Sequence, residues 1–325
     1  MKTRMTELLN IEYPIFCGGM FRVGRAPLVA AVSEAGGLGF LTSAHYETAE
    51  ALRAEIRRAK QLTKKPIGVN ITLSPRRLAL PNEAYIEVLI EEGVRVVETA
   101  GRNPEKYLPT LKEHGVTVIH KVPSVRYAKK AEQLGVDAVA IVGIEAGGHP
   151  GEGDIGSFVL IPKTVDSVSI PVIAGGGIAD GRGLAAALAL GADGVLMGTR
   201  FMAAKESLLH DNVKRWMVEA KESDSMLIQR TIGSTHRVAK NDVALQVLEA
   251  ERRGASIDEL YPLITGKRTE KVFYEGDVNA GVWSCGASVG LIDGVLSAKE
   301  VIERMVSEAK LAMKQAANRL EALNR

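Results

Sequence analysis

Eight short apolar runs alternate with helical stretches over the first ~200 residues, and that rhythm limits the fold more than anything else in the chain. The runs are Pro14–Gly19, Leu38–Ser43, Ile67–Leu73, Val94–Gly101, Thr117–Val122, Ala138–Gly143, Val172–Ala174 and Val195–Met197. Between them the pattern predicts helices over Pro27–Ala35, Thr48–Leu62, Ala84–Glu92, Pro104–His114, Val125–Leu134 and Val159–Val168, and a small-residue helix starting near Asp180. The apolar runs are continuous, as in strands covered on both faces, so the sheet is parallel. Eight repeats predict a closed (β/α)8 TIM barrel, with a doubly wound open sheet as the rival. A dinucleotide-binding open sheet carries G-x-G-x-x-G after its first strand; here that strand runs into Cys17-Gly18-Gly19-Met20, which does not fit.

The rhythm stops near Leu208. Helices are expected over Leu208–Ala220, Asp242–Arg253 and Ser256–Leu263, a glycine-rich irregular stretch over Val272–Gly294, and a long amphipathic helix over Ser297–Leu323. The expected division is a barrel over 1–205, a smaller, mostly helical lobe over 206–295, and a last helix within 296–325 packing back on the barrel. Lysine plus arginine is 41 and aspartate plus glutamate 39. That balance points to no nucleic-acid or anionic-membrane partner, and to a small-molecule substrate. Cys17 and Cys285 are the two cysteines, with neither disulfide nor metal spacing, so no metal is expected and a reducing compartment suits them. No apolar run reaches the ~18 residues of a membrane span, and MKTRMTELLNIEYPIF lacks a signal peptide's apolar stretch, so a cytoplasmic location is expected. A homodimer stays open.

Barrel chemistry sits at the carboxyl ends of the strands. Two of those ends, after the seventh and eighth strands, are Gly175-Gly176-Gly177 and Gly198-Thr199. Both precede helices, leave backbone amides uncovered and can close on one phosphate. The other ends supply Gly19 and Met20, Asn70 and Thr72, Glu98, Lys121, and the loop Glu145-Ala146-Gly147-Gly148-His149. Small residues there let a flat phosphorylated cofactor lie on the backbone, and FMN is the natural candidate. Asn70 could bond an amide edge and Lys121 could stabilise negative charge on the ring. The plainer readings are a strand-end hydrogen bond for Asn70 and a rim salt bridge to Glu98 for Lys121. His149, between glycines on a strand-end loop, is the expected catalytic residue, a group able to exchange a proton near neutral pH. His120 reads as a packed strand residue, Cys17 as a buried small hydrophobe, and His45, His114, His210 and His236 as surface histidines. A flavin-free phosphate-sugar isomerase or aldolase is a rival from another class, but needs a Schiff-base lysine or paired carboxylates, and only Lys121 and Glu98 are on hand.

The stretches CGGM (17–20), AGGLGFL (35–41), GVNIT (68–72), GIEAGGHPGEGD (143–154), AGGGIADGRGLAAALALGADGVLMGTRF (174–201) and GVWSCGASVGLI (281–292) resemble the nitronate monooxygenase family, formerly 2-nitropropane dioxygenases. The resemblance implies a TIM-barrel flavoenzyme with non-covalent FMN and a helical lobe over the site. It implies that Gly19, Met20 and Phe21 approach the isoalloxazine, that Asn70 or Thr72 and Lys121 contact it, and that Gly147 lies beside it. It places the phosphate on Gly175, Gly176, Gly177, Gly198 and Thr199, and His149 next to substrate. Three branches share the motifs: monooxygenases that oxidise alkyl nitronates with O2, NAD(P)H:quinone reductases, and FMN-dependent enoyl-acyl-carrier-protein reductases. VRVVETAGRNPEKY, VIHKVPSVRYAKKAE and the pair His120–Lys121 resemble the quinone reductases; EAGGH, VPSV and the 281–292 segment resemble the enoyl reductases. Val142-Gly143-Ile144 departs from the glutamine that monooxygenases carry ahead of that glycine. The expectation is therefore a nitronate or NAD(P)H:quinone oxidoreductase, with the enoyl reductase as the alternative.

Overall fold

A computed structural model describes residues 1–73 and 79–322. Eight parallel strands close into a barrel: β1 (Ile15–Cys17), β2 (Leu38–Thr42), β3 (Gly68–Leu73), β4 (Val96–Gly101), β5 (Thr117–Val122), β6 (Ala138–Val142), β7 (Val172–Gly175) and β8 (Gly194–Met197). Each pairs with the next, and β1 pairs with β8 through Ile15↔Val195, Phe16↔Leu196 and Cys17↔Met197. The TIM barrel expected from the alternation is the fold observed.

The barrel interior is packed by side chains from alternate strand positions, among them Phe16, Phe40, Val96, Ile119, Ile173 and Leu196. Burying each such side chain stabilises by roughly 1.5–3 kcal/mol. Phe40 takes the volume beside Gly68, where a Cβ would come within 2.3 Å of its ring. The first helix, Arg4–Leu9, adds Met5 and Leu9 to this interior cluster. That helix was not anticipated. Its capping box on Thr3 and Thr6 is short, and its anchor is distant in sequence: Arg4 Nε and Nη2 donate to Asp193 at 2.8 and 2.6 Å.

Most outer helices lie within a few residues of expectation. The seventh runs over Ser157–Val165, not Val159–Val168, because the Glu145 carboxylate accepts the Ser157 amide and so draws the first turn forward. Beyond the barrel, helices cover Asp211–Glu219, Asp242–Arg252 and Ile257–Ile264. The lobe also holds an antiparallel hairpin, β9 (Ser225–Ile228) with β10 (His236–Ala239). It escaped the sequence reading because SMLI and HRVA are four residues each and lack a clean two-residue alternation. Its apolar side, Ile228 and Val238, packs on Val243, Val247 and Leu260. The last helix spans Ala298–Ala322; Leu323, the expected end, lies outside the described residues. It packs on the helices Gly181–Ala189 and Ala26–Glu34, so close to the former that a Cβ on Gly181 would meet the Met305 carbonyl at 2.4 Å. Among the described residues no helix is long and apolar enough to cross a membrane.

Candidate active site

Register brings the expected residues of β1, β3, β4 and β5 together. Asn70 lies opposite Glu98, and Ala100 opposite Lys121. Glu98 is fully buried. Its Oε2 accepts from Asn70 Nδ2 at 2.5 Å and from the Gly19 amide at 3.3 Å, and Lys121 Nζ stands 3.5 Å from Oε1. Thr72 Oγ1 donates to Asn70 Oδ1 at 3.1 Å. A carboxylate removed from water needs such partners. Asn70 and Lys121 thus make the plainer contacts considered for them, and in doing so fix one rim around a single charge. Gly19 admits no side chain: a Cβ would lie 2.3 Å from Asn70 Cβ.

Met20 turns toward the barrel mouth, its Sδ 3.4 Å from where a Gly198 Cβ would be. Phe21 does not join them. It is exposed, edge-on to His45 at 6.2 Å, with the Arg22 guanidinium 4.8 Å from its ring centroid. Arg22, next in the chain, holds a left-handed φ of 67° and pairs with Glu270.

His120 is buried, as expected of a packed strand residue, with Thr99 Oγ1 at 2.8 Å from Nδ1. Burial pushes its pKa down to about 4. The unfolded chain takes up this proton below its usual 6.5, while the folded chain refuses it until about 4. Stability is therefore lost as pH falls through that window, about 2 kcal/mol between pH 7 and pH 5. Urea midpoints at those two pH values should show this loss in the wild type and a smaller one in His120→Gln.

The two glycine loops follow adjacent strands. Gly176 and Gly177 have φ of 96° and 75°. Gly198 precedes the short helix Thr199–Met202. Among the described residues the amides of Gly176, Gly177, Gly198 and Thr199 donate to no protein acceptor. The helix after Gly177 contributes less than expected, because Asp180 caps it and accepts from Arg182 and Gly183 at 2.9 and 3.1 Å. The free donors belong to the loops themselves. Gly175, the end of β7, accepts the Gly143 amide at 3.0 Å. Thr199 Oγ1 accepts the Gly286 amide at 2.9 Å, and Gly147 lies against Cys285–Gly286, where a Cβ would approach Gly286 N to 2.7 Å. The late segment is therefore bolted to the loops after β6 and β8. Glu145 braces the cradle from the β6 side: its carboxylate accepts Ser157 Oγ at 3.0 Å, and that hydroxyl also reaches Gly176 O at 3.1 Å. Such a rim, with four unused amides and no Cβ in the way, can receive a flat group ending in phosphate.

His149 stands exposed on the loop between β6 and the helix Ser157–Val165. Its ring stacks on His236, centroids 4.4 Å apart and planes 13° apart. His236 Nε2 lies 2.9 Å from Ser284 Oγ. His236 is thus no isolated surface histidine, and its place beside His149 is what sequence reasoning missed. The signal available was Ser284, inside a family-like segment; nothing in HRVA pointed to a partner. His45 and His210 are not plain surface residues either: Arg25 Nη1 is 2.8 Å from His45 Nε2, and His210 caps Asp211–Glu219; His114 is exposed as expected. The His149 loop is sewn to the hairpin. Gly148 and Arg237 exchange backbone bonds of 3.0 and 2.7 Å, Arg237 Nε donates to Ile144 O at 2.7 Å, and Arg230 grips Asp154 at 2.6 and 2.8 Å. Burial pushes the Arg237 guanidinium below its ordinary pKa, opposed by Glu145. Cys17 is buried, and burial raises its thiol well above the usual range, so it is no nucleophile. Among the described residues no three His, Cys, Asp or Glu side chains gather as a metal site.

The closed parallel barrel, with uncovered amides after β7 and β8 and a buried carboxylate at its rim, is the scaffold of an oxidoreductase family. The chain belongs to the nitronate monooxygenase family, whose sequence model matches residues 2–308. It is 35% identical, over 95% of its length and 96% of the relative's, to a (3aS,4S,5R,7aS)-5-hydroxy-7a-methyl-1-oxo-octahydro-1H-indene-4-carboxyl-CoA dehydrogenase of Rhodococcus jostii. Among solved structures it is similar to FabK from Thermotoga maritima, at 41% identity and a TM-score of 0.91, covering 98% of this chain and 99% of that one. It is also similar to a nitroalkane oxidase of Streptomyces ansochromogenes, at 27% identity and a TM-score of 0.82, covering 96% and 99%.

Proposed function

We propose that this chain is an FMN-dependent oxidoreductase that reduces the carbon–carbon double bond of an enoyl thioester at the expense of NAD(P)H. The observation that supports flavin is the pair of loops after β7 and β8, whose four amides lack acceptors beside a rim that Gly19 keeps free of side chains. The thioester is supported by the relatives: a carboxyl-CoA dehydrogenase at 35% identity and FabK, an enoyl-acyl-carrier-protein reductase, at 41%. This order places the enoyl reductase ahead of the nitronate and quinone readings expected from motifs alone.

In this reading the amides of Gly176, Gly177, Gly198 and Thr199 hold the phosphate, and Gly147 and Met20 border the ring. Bound FMN supplies a reversible two-electron store between NAD(P)H and the acceptor. Lys121 sets a positive charge at the rim, and Asn70, held by Glu98 and Thr72, keeps an amide oriented there. His149 donates a hydrogen bond to the thioester carbonyl and a proton toward its α-carbon. The sum is enoyl thioester plus NAD(P)H plus H+ giving saturated thioester and NAD(P)+. A flavin-free aldolase is disfavoured because Lys121 is committed to Glu98.

Purified protein should be yellow, and the pigment released by heating should have the mass of FMN; a colourless protein that takes up no FMN ends the reading. Under anaerobic conditions, NADPH or NADH with a crotonyl thioester should yield the butyryl thioester by mass spectrometry. The family and the nitroalkane oxidase neighbour favour a second reading, oxidation of an alkyl nitronate with O2. A kcat/KM for 2-nitropropane anion above that for the thioester would install it instead, and NADH with benzoquinone is the third arm.

A further inference from the structure

We propose that His236 is a positioning residue for His149: its ring holds the His149 imidazole face-on over the barrel mouth, and Ser284 holds His236. The proposal rests on His149 being the group that meets substrate. The His149 ring lies face-on against a ring from another segment, 4.4 Å between centroids. Its loop carries Gly147, Gly148, Gly151 and Gly153, with left-handed φ at 148 and 151, so the loop's own side chains give the ring few walls. The wall is supplied from the lobe. β10 pairs with β9 along one edge, and along its other edge Arg237 bridges Gly148 and Val238 bridges Ser284. His236 directly precedes the two bridged residues, as His149 directly follows Gly148, so three segments distant in sequence form one strip that carries both rings.

The second ring is itself fixed. Its Nε2 lies 2.9 Å from Ser284 Oγ, and Gln229 Nε2 lies 3.5 Å from its Nδ1. Gln229 is buried and held in a left-handed conformation, φ 62°, its amide bound by Glu251 at 2.8 Å. A strained, buried residue at the edge of a site is a place where order is being enforced. The nearby charges are spent on the same scaffold: Asp154 on Arg230, Glu152 on Thr235, Glu251 on Gln229 and Thr231, and Arg237 on the Ile144 carbonyl. The stack adds a flat wall against the His149 ring. Catalytic geometry is sensitive to this: a displacement of about 1 Å can cost ~100-fold in rate.

The test uses full-length FMN-loaded protein and the variants His236→Ala, His236→Phe, Ser284→Ala and His149→Ala. Imidazole carbon–proton resonances of His149, displaced by the ring current of its neighbour, are read alongside kcat, KM, FMN affinity and thermal midpoint. Removing the ring in His236→Ala should move the His149 resonances to unstacked positions and lower kcat about tenfold or more, with FMN affinity unchanged. His236→Phe keeps a flat ring and should keep the His149 shifts and most of kcat. Ser284→Ala should fall between. Wild-type His149 resonances in His236→Ala overturn the proposal, as does full kcat there while His149→Ala is impaired. If His149→Ala keeps full kcat, the reading of His149 as substrate contact fails, and the resonances still report whether His236 orders it.

Discussion

Gly176→Val should raise the dissociation constant for FMN by about 100-fold or more, because it strikes conformation and space together. The residue sits at φ 96°, a backbone state that costs an L side chain roughly 1–2 kcal/mol. Its Cβ would also lie 3.0 Å from Ser157 Oγ and 3.2 Å from both the amide and the carbonyl of Gly143. A branched side chain cannot settle there without moving the loop. Moving it withdraws the amides of Gly176 and Gly177 from the phosphate, each worth about 1.5–3 kcal/mol toward a charged group. Quenching of flavin fluorescence on titration reads the affinity directly. Gly115→Ala is the control. Its φ is 65° with nothing within 4 Å of the new Cβ, and it is far from the cradle in the chain. It should lower stability and leave FMN binding alone. Equal affinities for wild type and Gly176→Val would remove the cradle from the account.

Lys121→Met should destabilise the fold by about 3–5 kcal/mol, toward the lower end because the lysine reaches solvent. Glu98 is fully buried, and Lys121 is its only cation among the described residues. Deleting that cation strands a carboxylate, whereas deleting both charges does not. The double variant Lys121→Met, Glu98→Gln should therefore recover most of the loss in urea denaturation at pH 7. Recovery that fails would mean Glu98 is held chiefly by Asn70 and Gly19. A single Lys121→Met as stable as wild type would mean the pair is balanced by water.

The barrel was readable from the chain because its information is local. Each strand is a continuous apolar run, each helix has its own start and stop, and eight repeats leave one closed solution. The β7 and β8 loops were readable for the same reason, since Gly175–Gly177 and Gly198–Thr199 announce themselves at the ends of those runs. What stayed hidden depends on partners far away. Arg22, beside Phe21, pairs with Glu270, 248 residues away by number. His236 gains its role from His149 and Ser284, neither of them near in sequence. The Arg4–Leu9 helix is held by Asp193. The helix near Asp180 was placed correctly, but its first-turn amides at Arg182 and Gly183 go to its own cap, which leaves only the loop amides free. Periodicity reports which face of an element is buried; it does not report what lies opposite.

The helix Ala298–Ala322 lies across the helices of the second-last and first repeats, with Ile302 beside Gly37, and Glu308 accepting the Gly181 amide at 2.9 Å. The ring of repeats is thus fastened by a helix that is made only after all eight strands. During synthesis the β1–β8 junction can form but has no outer clamp, so the nascent barrel waits with one joint ajar. A chain ending at 297 should retain its strands yet exchange the amide protons of β1 and β8 far sooner than those of β3 to β6.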